Sequence, residues 1–141
     1  MIDGLLASHP EQIYGLKDSG GDAEHTAMLI RRYPGLRIFT GSAPLLSRAL
    51  ADGATGGIFA LANAFPGEMR AVIAAHATAD GETAQRRAAD LSAALKKHGA
   101  IPSLKALLPR IAGLPATSAR APLVNLTEGQ AAALIERVGV V

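Results

Sequence analysis

The stretch IYGLKDSGGD, residues 13–22, closes an apolar run on a cation, Lys17, and follows it with an acid, a serine and two glycines. A lysine there either snorkels out to solvent or is kept in an apolar place for chemistry. In an apolar place desolvation disfavours the ammonium form of an amine. A neutral amine attacks a carbonyl to form a Schiff base, whose protonated imine is an electron sink for breaking or making the bond to the next carbon. The neighbouring glycines let a small substrate approach the backbone. An exposed charge is the commoner state of a lone lysine at a strand end, so residue type alone leaves both readings open.

The other chemistry-bearing residues say less. His9, His25, His76 and His98 are scattered, with no pair at metal-ligand spacing, and they read as surface or capping groups. Ser42 has no flanking nucleophile elbow. Asp18 and Asp22 read as a turn residue and a helix cap rather than an acid–base pair. The SGGD loop is an ordinary turn or an anion site at a helix N-terminus. It is not a full G-x-G-x-x-G or P-loop, which argues against a nucleotide.

The elements that position these residues alternate. Residues 1–9 predict a helix with Ile2, Leu5 and Leu6 on one side, ended by Pro10. Residues 12–17 predict a strand, and Asp22 caps a helix over 23–33. YPG at 33–35 stops that helix, LRIFT at 36–40 is a second strand, and Pro44 suits the first turn of a helix over 43–52. GGIFA, residues 56–60, is a third strand. Strands alternating with helices of this length imply βα units and a parallel sheet. After Asn63 the pattern is helical: 66–80, then 82–99 with Lys96, Lys97 and His98 in the last turn, then 102–115 with a kink or break near Pro109, and a final helix capped by Thr127. The expected division is a partial βα barrel over 1–79 and a helical extension over 80–141. Three parallel strands cannot close a barrel and leave two edges to cover. With a helix preceding the first strand, the chain reads as part of something larger.

Composition sets the outer bounds. The chain has 141 residues, 49% apolar and 18% charged, which suits one globular domain with a core. The net charge of +2 comes from 14 basic and 12 acidic residues spread along the chain, and the short basic pairs at 31–32, 86–87 and 96–97 suit solvated helix faces rather than a nucleic-acid surface. No cysteine is present, so there is neither a disulfide framework nor a thiolate metal site. No run approaches a membrane span and the first twelve residues lack a signal-peptide pattern, so a cytoplasmic protein without membrane contact is expected.

In parallel α/β folds, sites form where strands end and βα loops gather. Lys17, Gly41, Ser42 and residues 60–63 fall at such ends. Taken together, IYGLKDSGGD, IFTGSAPLLSRALADGATGGIFALAN, GAIPSLKALL and ARAPL resemble the dihydrodipicolinate synthase / N-acetylneuraminate lyase family. The resemblance runs along essentially the whole chain. It implies the C-terminal half of a (β/α)8 barrel followed by a helical extension, and a class I, pyruvate-handling aldolase needing no cofactor. By resemblance Lys17 is the Schiff-base lysine, Gly41 and Ile58 line the pyruvate pocket, and Ser42 and Asn63 are polar groups lining the site; no metal is implied. Within the family the forms KDSGGD, GSA, ALAN and IPSLK are most like 4-hydroxy-2-oxoglutarate aldolase, which yields pyruvate and glyoxylate. Ala43 and Phe59 stand where sialic-acid lyases carry an acidic and a small polar residue, which agrees. Dihydrodipicolinate synthase is the alternative within the family. The family's carboxylate-holding Gly-Thr-Thr loop and its proton-moving tyrosine have no counterpart here, so the chain alone is expected to be a poor aldolase. Other readings are an assembly fragment without chemistry, as a homo-oligomer or pairing through open barrel edges, and a phosphate-binding module using the SGGD loop.

Overall fold

A computed structural model describes residues 1–140. Three short parallel strands lie side by side: β1 (Gly15–Asp18), β2 (Arg37–Thr40) and β3 (Gly56–Gly57), in that spatial order. Lys17 stands opposite Phe39, and Phe39 opposite Gly56. Seven α-helices surround or follow them: α1 (Ile2–Ser8), α2 (Ala23–Arg32), α3 (Leu46–Ala51), α4 (Pro66–Ala75), α5 (Gly81–Lys96), α6 (Ala100–Ala112) and α7 (Glu128–Val138).

Side chains alternate across a strand, and burial follows that period. Asp18, Ile38 and Thr40 are buried on the face covered by α2 and α3, Ile38 to 2% and Thr40 to 1% exposure. Lys17 and Arg37 are exposed on the other face and Phe39 is half-buried there. The sheet is thus covered on one side and open on the other, with β1 and β3 as free edges.

Several boundaries differ from the sequence reading, for reasons set by pairing. Residues 12–14 lie outside β1, because β2 begins only at Arg37, whose N–H reaches the Tyr14 carbonyl at 2.9 Å. β3 stops after two residues: the Ile58 N–H still bonds the Thr40 carbonyl at 3.0 Å, but β2 ends there and offers nothing further. Ala60–Asn63 winds into a 3-10 turn instead of continuing the strand. The helix expected over 43–52 opens as a 3-10 turn, Ala43–Leu45, with Pro44 in its first positions, before α3 takes over. α4 ends at Ala75 rather than near 80. α6 begins at Ala100 and runs unbroken through Pro109 to Ala112, because its buried face, including Leu104 and Leu107, packs into the core. Both predicted caps form: Asp22 accepts from the N–H groups of Glu24 and His25, and Thr127 makes a capping box with Gln130.

The apolar core lies mainly among the helices. Leu46, Leu61, Val72, Leu91, Leu95, Leu107, Leu134 and Val138 are buried in one cluster that also takes in Ala43 and Phe59 from the strand ends. Polar ties fix its pieces. The Gln85 amide donates to the Ala43 carbonyl at 3.0 Å and accepts from the Ser47 N–H at 2.7 Å, joining α5 to the start of α3. Helix ends leave carbonyls unsatisfied. The buried Ser103 hydroxyl supplies one such carbonyl, Leu95 at 2.9 Å, and the Arg87 guanidinium supplies another, Val138 at 3.1 Å. Among the described residues no helix is long and apolar enough to cross a membrane.

Candidate active site at the strand ends

Lys17 is the next-to-last residue of β1 and projects onto the open face. There it borders a shallow depression of about 320 Å³ shared with Tyr14, Arg37, Phe39 and Ile58. Its stem lies against Gly41, the first residue after β2. A methyl at Gly41 would stand 3.0 Å from Lys17 Cε and 2.8 Å from the Ser19 hydroxyl, so any larger residue there would push the lysine aside. The same methyl would stand 3.0 Å from the Asp18 carbonyl oxygen, so glycine at 41 lets backbone and lysine stem pass this turn without displacement.

The next residue along the chain belongs to the other face. Asp18 is 7% exposed, and its carboxylate is fully engaged. Oδ2 accepts from the Thr26 hydroxyl at 2.6 Å and contacts His25 Nδ1 at 3.2 Å, and Oδ1 accepts from the Gly20 N–H at 3.0 Å. Burial alone pushes this carboxyl up, but the Thr26 hydroxyl, the Gly20 N–H and His25 outweigh it and hold the group below its ordinary value of 3.8. Asp18 is therefore a turn-fixing carboxylate. Its carbonyl in turn accepts the Gly41 N–H at 2.6 Å.

Of the residues singled out from sequence, Lys17 lies beside Gly41 and shares its depression with Ile58, while Gly41 itself borders a different cavity. Ile58 is 50% exposed and shares the depression with the lysine. Ser42 follows Gly41 and is turned by its own N–H, which donates to Thr40 Oγ1 at 3.1 Å. Asn63 sits at the end of its 3-10 turn and donates to the Ala60 carbonyl at 3.0 Å. Ala43 and Phe59 border, with Gly41, a separate cavity of about 70 Å³ towards α5. Phe59 lies over Gly57, where its ring occupies the space a methyl would need. Phe39, Arg37 and Tyr14 are additions that sequence reading missed. Only the register of β1 against β2 puts Phe39 opposite Lys17. Among the described residues no three His, Asp or Glu side chains come together as a metal site would require.

The dihydrodipicolinate synthetase family model matches residues 3–138. The chain belongs to this family. An uncharacterized DapA-like lyase of Chloroflexus aurantiacus is 51% identical over 135 residues, covering 95% of this chain and 45% of that protein. A 4-hydroxy-tetrahydrodipicolinate synthase of Exiguobacterium sibiricum is 35% identical, covering 93% and 45% respectively. Among solved structures, dihydrodipicolinate synthase from Agrobacterium tumefaciens superposes with a TM-score of 0.82 at 29% identity, over 98% of this chain and 46% of that one. The chain thus spans about half the length of the relatives it matches. Its three parallel strands and their helices superpose on part of that dihydrodipicolinate synthase fold.

Proposed function

We propose that this chain carries the imine-forming lysine of a class I, pyruvate-handling aldolase, with Lys17 as the nucleophile and Gly41 and Ile58 lining the pocket beside it. The observation that carries this reading is the placement of Lys17 near the C-terminal end of a parallel strand, its stem against Gly41, on the open face of a family sheet. In this reading the amine adds to the ketone carbon of a 2-oxo acid and water leaves. The protonated imine at the second carbon then takes up, as an enamine, the electron pair freed when the bond between the third and fourth carbons breaks, and the hydroxyl on the fourth carbon gives its proton to solvent as the aldehyde departs; protonation of the enamine and addition of water release pyruvate and the free lysine. Ser42 and Asn63 serve as polar groups at the rim. The motif forms favour 4-hydroxy-2-oxoglutarate as substrate, giving pyruvate and glyoxylate. The 35% identity to a 4-hydroxy-tetrahydrodipicolinate synthase favours a second reading, condensation of pyruvate with aspartate semialdehyde.

The free edges of β1 and β3, with Tyr14 75% exposed beside one of them, support pairing of this sheet with further strands, from the same polypeptide or from another copy. Without that complement the chain holds the nucleophile but little of the proton-transfer machinery, which is typically worth ~10²–10⁴-fold in rate.

Incubation with pyruvate and borohydride, followed by intact-mass measurement, tests the imine. One pyruvate-derived adduct on the wild type and none on Lys17→Ala is expected; an unchanged mass, or equal labelling of the variant, contradicts it. Adding glyoxylate or aspartate semialdehyde to pyruvate, in the chain completed by its barrel complement, separates the two substrate readings by which product forms.

A further inference from the structure

We infer that Asp18 and Thr26 form a two-ended clamp that positions Lys17 from the opposite side of the sheet. The inference rests on the reading of Lys17 as the imine-forming residue and adds positioning residues to it. Lys17 and Asp18 are neighbours in β1 but face opposite ways: the lysine shares the open face with Phe39, and the aspartate shares the covered face with Thr40. Asp18 is thereby excluded from proton transfer at the imine, and what it contributes is placement.

The clamp has one end in α2 and the other in the turn after β2. At the first end the carboxylate takes the Thr26 hydroxyl at 2.6 Å and the Gly20 N–H at 3.0 Å, which ties the end of β1 to the first turn of α2 and fixes the Ser19–Gly21 loop. Thr26 is itself buried, and its hydroxyl also lies 3.0 Å from the Asp22 carbonyl. Its single proton serves the shorter, charged partner. At the second end the Asp18 carbonyl holds the Gly41 N–H at 2.6 Å. Gly41 is the surface against which Lys17 Cε rests. A shift of the β1 end relative to either partner would therefore move the floor under the lysine stem.

A lysine side chain has four rotatable bonds, and attack on a carbonyl needs the nitrogen in a narrow region. Misplacement by about 1 Å can cost on the order of 10²-fold. A carboxylate that merely stabilised the start of α2 would leave this geometry alone, and the two roles separate on measurement.

The experiment compares the wild-type chain with Thr26→Val, Thr26→Ser and Asp18→Asn, all at temperatures where circular dichroism shows each folded. Two quantities are read at Lys17: the rate of pyruvate trapping by borohydride across a pH series, and the NMR signals of its Cε methylene, with those of Lys97 as a solvent-exposed reference. The clamp predicts distinct, non-degenerate Cε-methylene protons for Lys17 in the wild type. It predicts their collapse to the averaged pattern of Lys97 in Thr26→Val and Asp18→Asn, and recovery in Thr26→Ser. Trapping falls roughly tenfold or more in the first two variants at every pH, with the pH midpoint unmoved. An averaged Lys17 signal in the wild type, or a folded Thr26→Val or Asp18→Asn that keeps both signal and rate, overturns the clamp. A shifted midpoint with an unchanged plateau also overturns it, because that marks charge rather than position. Absence of any pyruvate adduct on the wild type sinks the imine reading, while the methylene signals still decide the clamp.

Discussion

The helical part of the molecule and its sheet are built from the same apolar vocabulary but are finished differently. In the helical part, Leu91, Leu95, Leu107 and Val138 are buried on all sides, and the polar groups at helix ends find partners such as Ser103 and Arg87. In the sheet, one face is sealed by α2 and α3 while the other shows Lys17, Arg37 and Ile58 to solvent. Fully buried side chains are concentrated in the first region, and the lysine proposed to form the imine lies in the second. Lys17 is exposed on the open face, while its neighbour Asp18 is hydrogen-bonded on the sealed one.

The sharpest way to break this contrast is to carve the core. Leu107→Ala removes a fully buried side chain and is expected to cost about 2–5 kcal/mol of unfolding free energy, measured by urea titration. Thr26→Val comes next: it leaves the buried Asp18 carboxylate short of its closest donor, at about 1–3 kcal/mol, followed in the same titrations. Third is the acid response. The Asp18 carboxyl titrates lower in the folded chain than its ordinary 3.8, so the folded state gains from its ionisation. That gain is full above about pH 3.8 and disappears as pH falls through the lower, folded value. Asp18→Asn should flatten this part of the stability–pH curve, and the difference between the two proteins isolates Asp18 from other acids such as Asp3, whose carboxyl is also lowered, by the Tyr33 hydroxyl and by Arg32. The smallest effect is expected at Ile58→Ala, within ~0.5 kcal/mol, because the side chain is half exposed on the open face. A loss as large as that of Leu107→Ala would show that the open face is packed after all.

Much of this contrast could be read from the sequence, and what could not follows a pattern. The βα alternation, the caps at Asp22 and Thr127 and the strand-end place of Lys17 are local features, set by residue types within a few positions. Gly41 stood out through its place after a strand. Its physical setting, in which an added methyl would stand 3.0 Å from Lys17 Cε, involves residues 24 apart in the chain that no local pattern brings together. Thr26 gave no signal at all: a threonine in the first turn of a helix is unremarkable until its hydroxyl is seen on Asp18. GGIFA has strand propensity over five residues, yet β3 covers only Gly56–Gly57 because pairing ends where β2 ends. Pro109 looked like a breaker and is carried within α6 by the packing of Leu104 and Leu107.

The central claim is that Lys17, among the four lysines of the chain, forms the imine. Peptide mapping of the protein after reduction with pyruvate and borohydride tests it most directly. The account predicts that the adduct sits on Lys17 alone, with Lys96, Lys97 and Lys105 unmodified; an adduct spread evenly over the four, or confined to any of the other three, would contradict it.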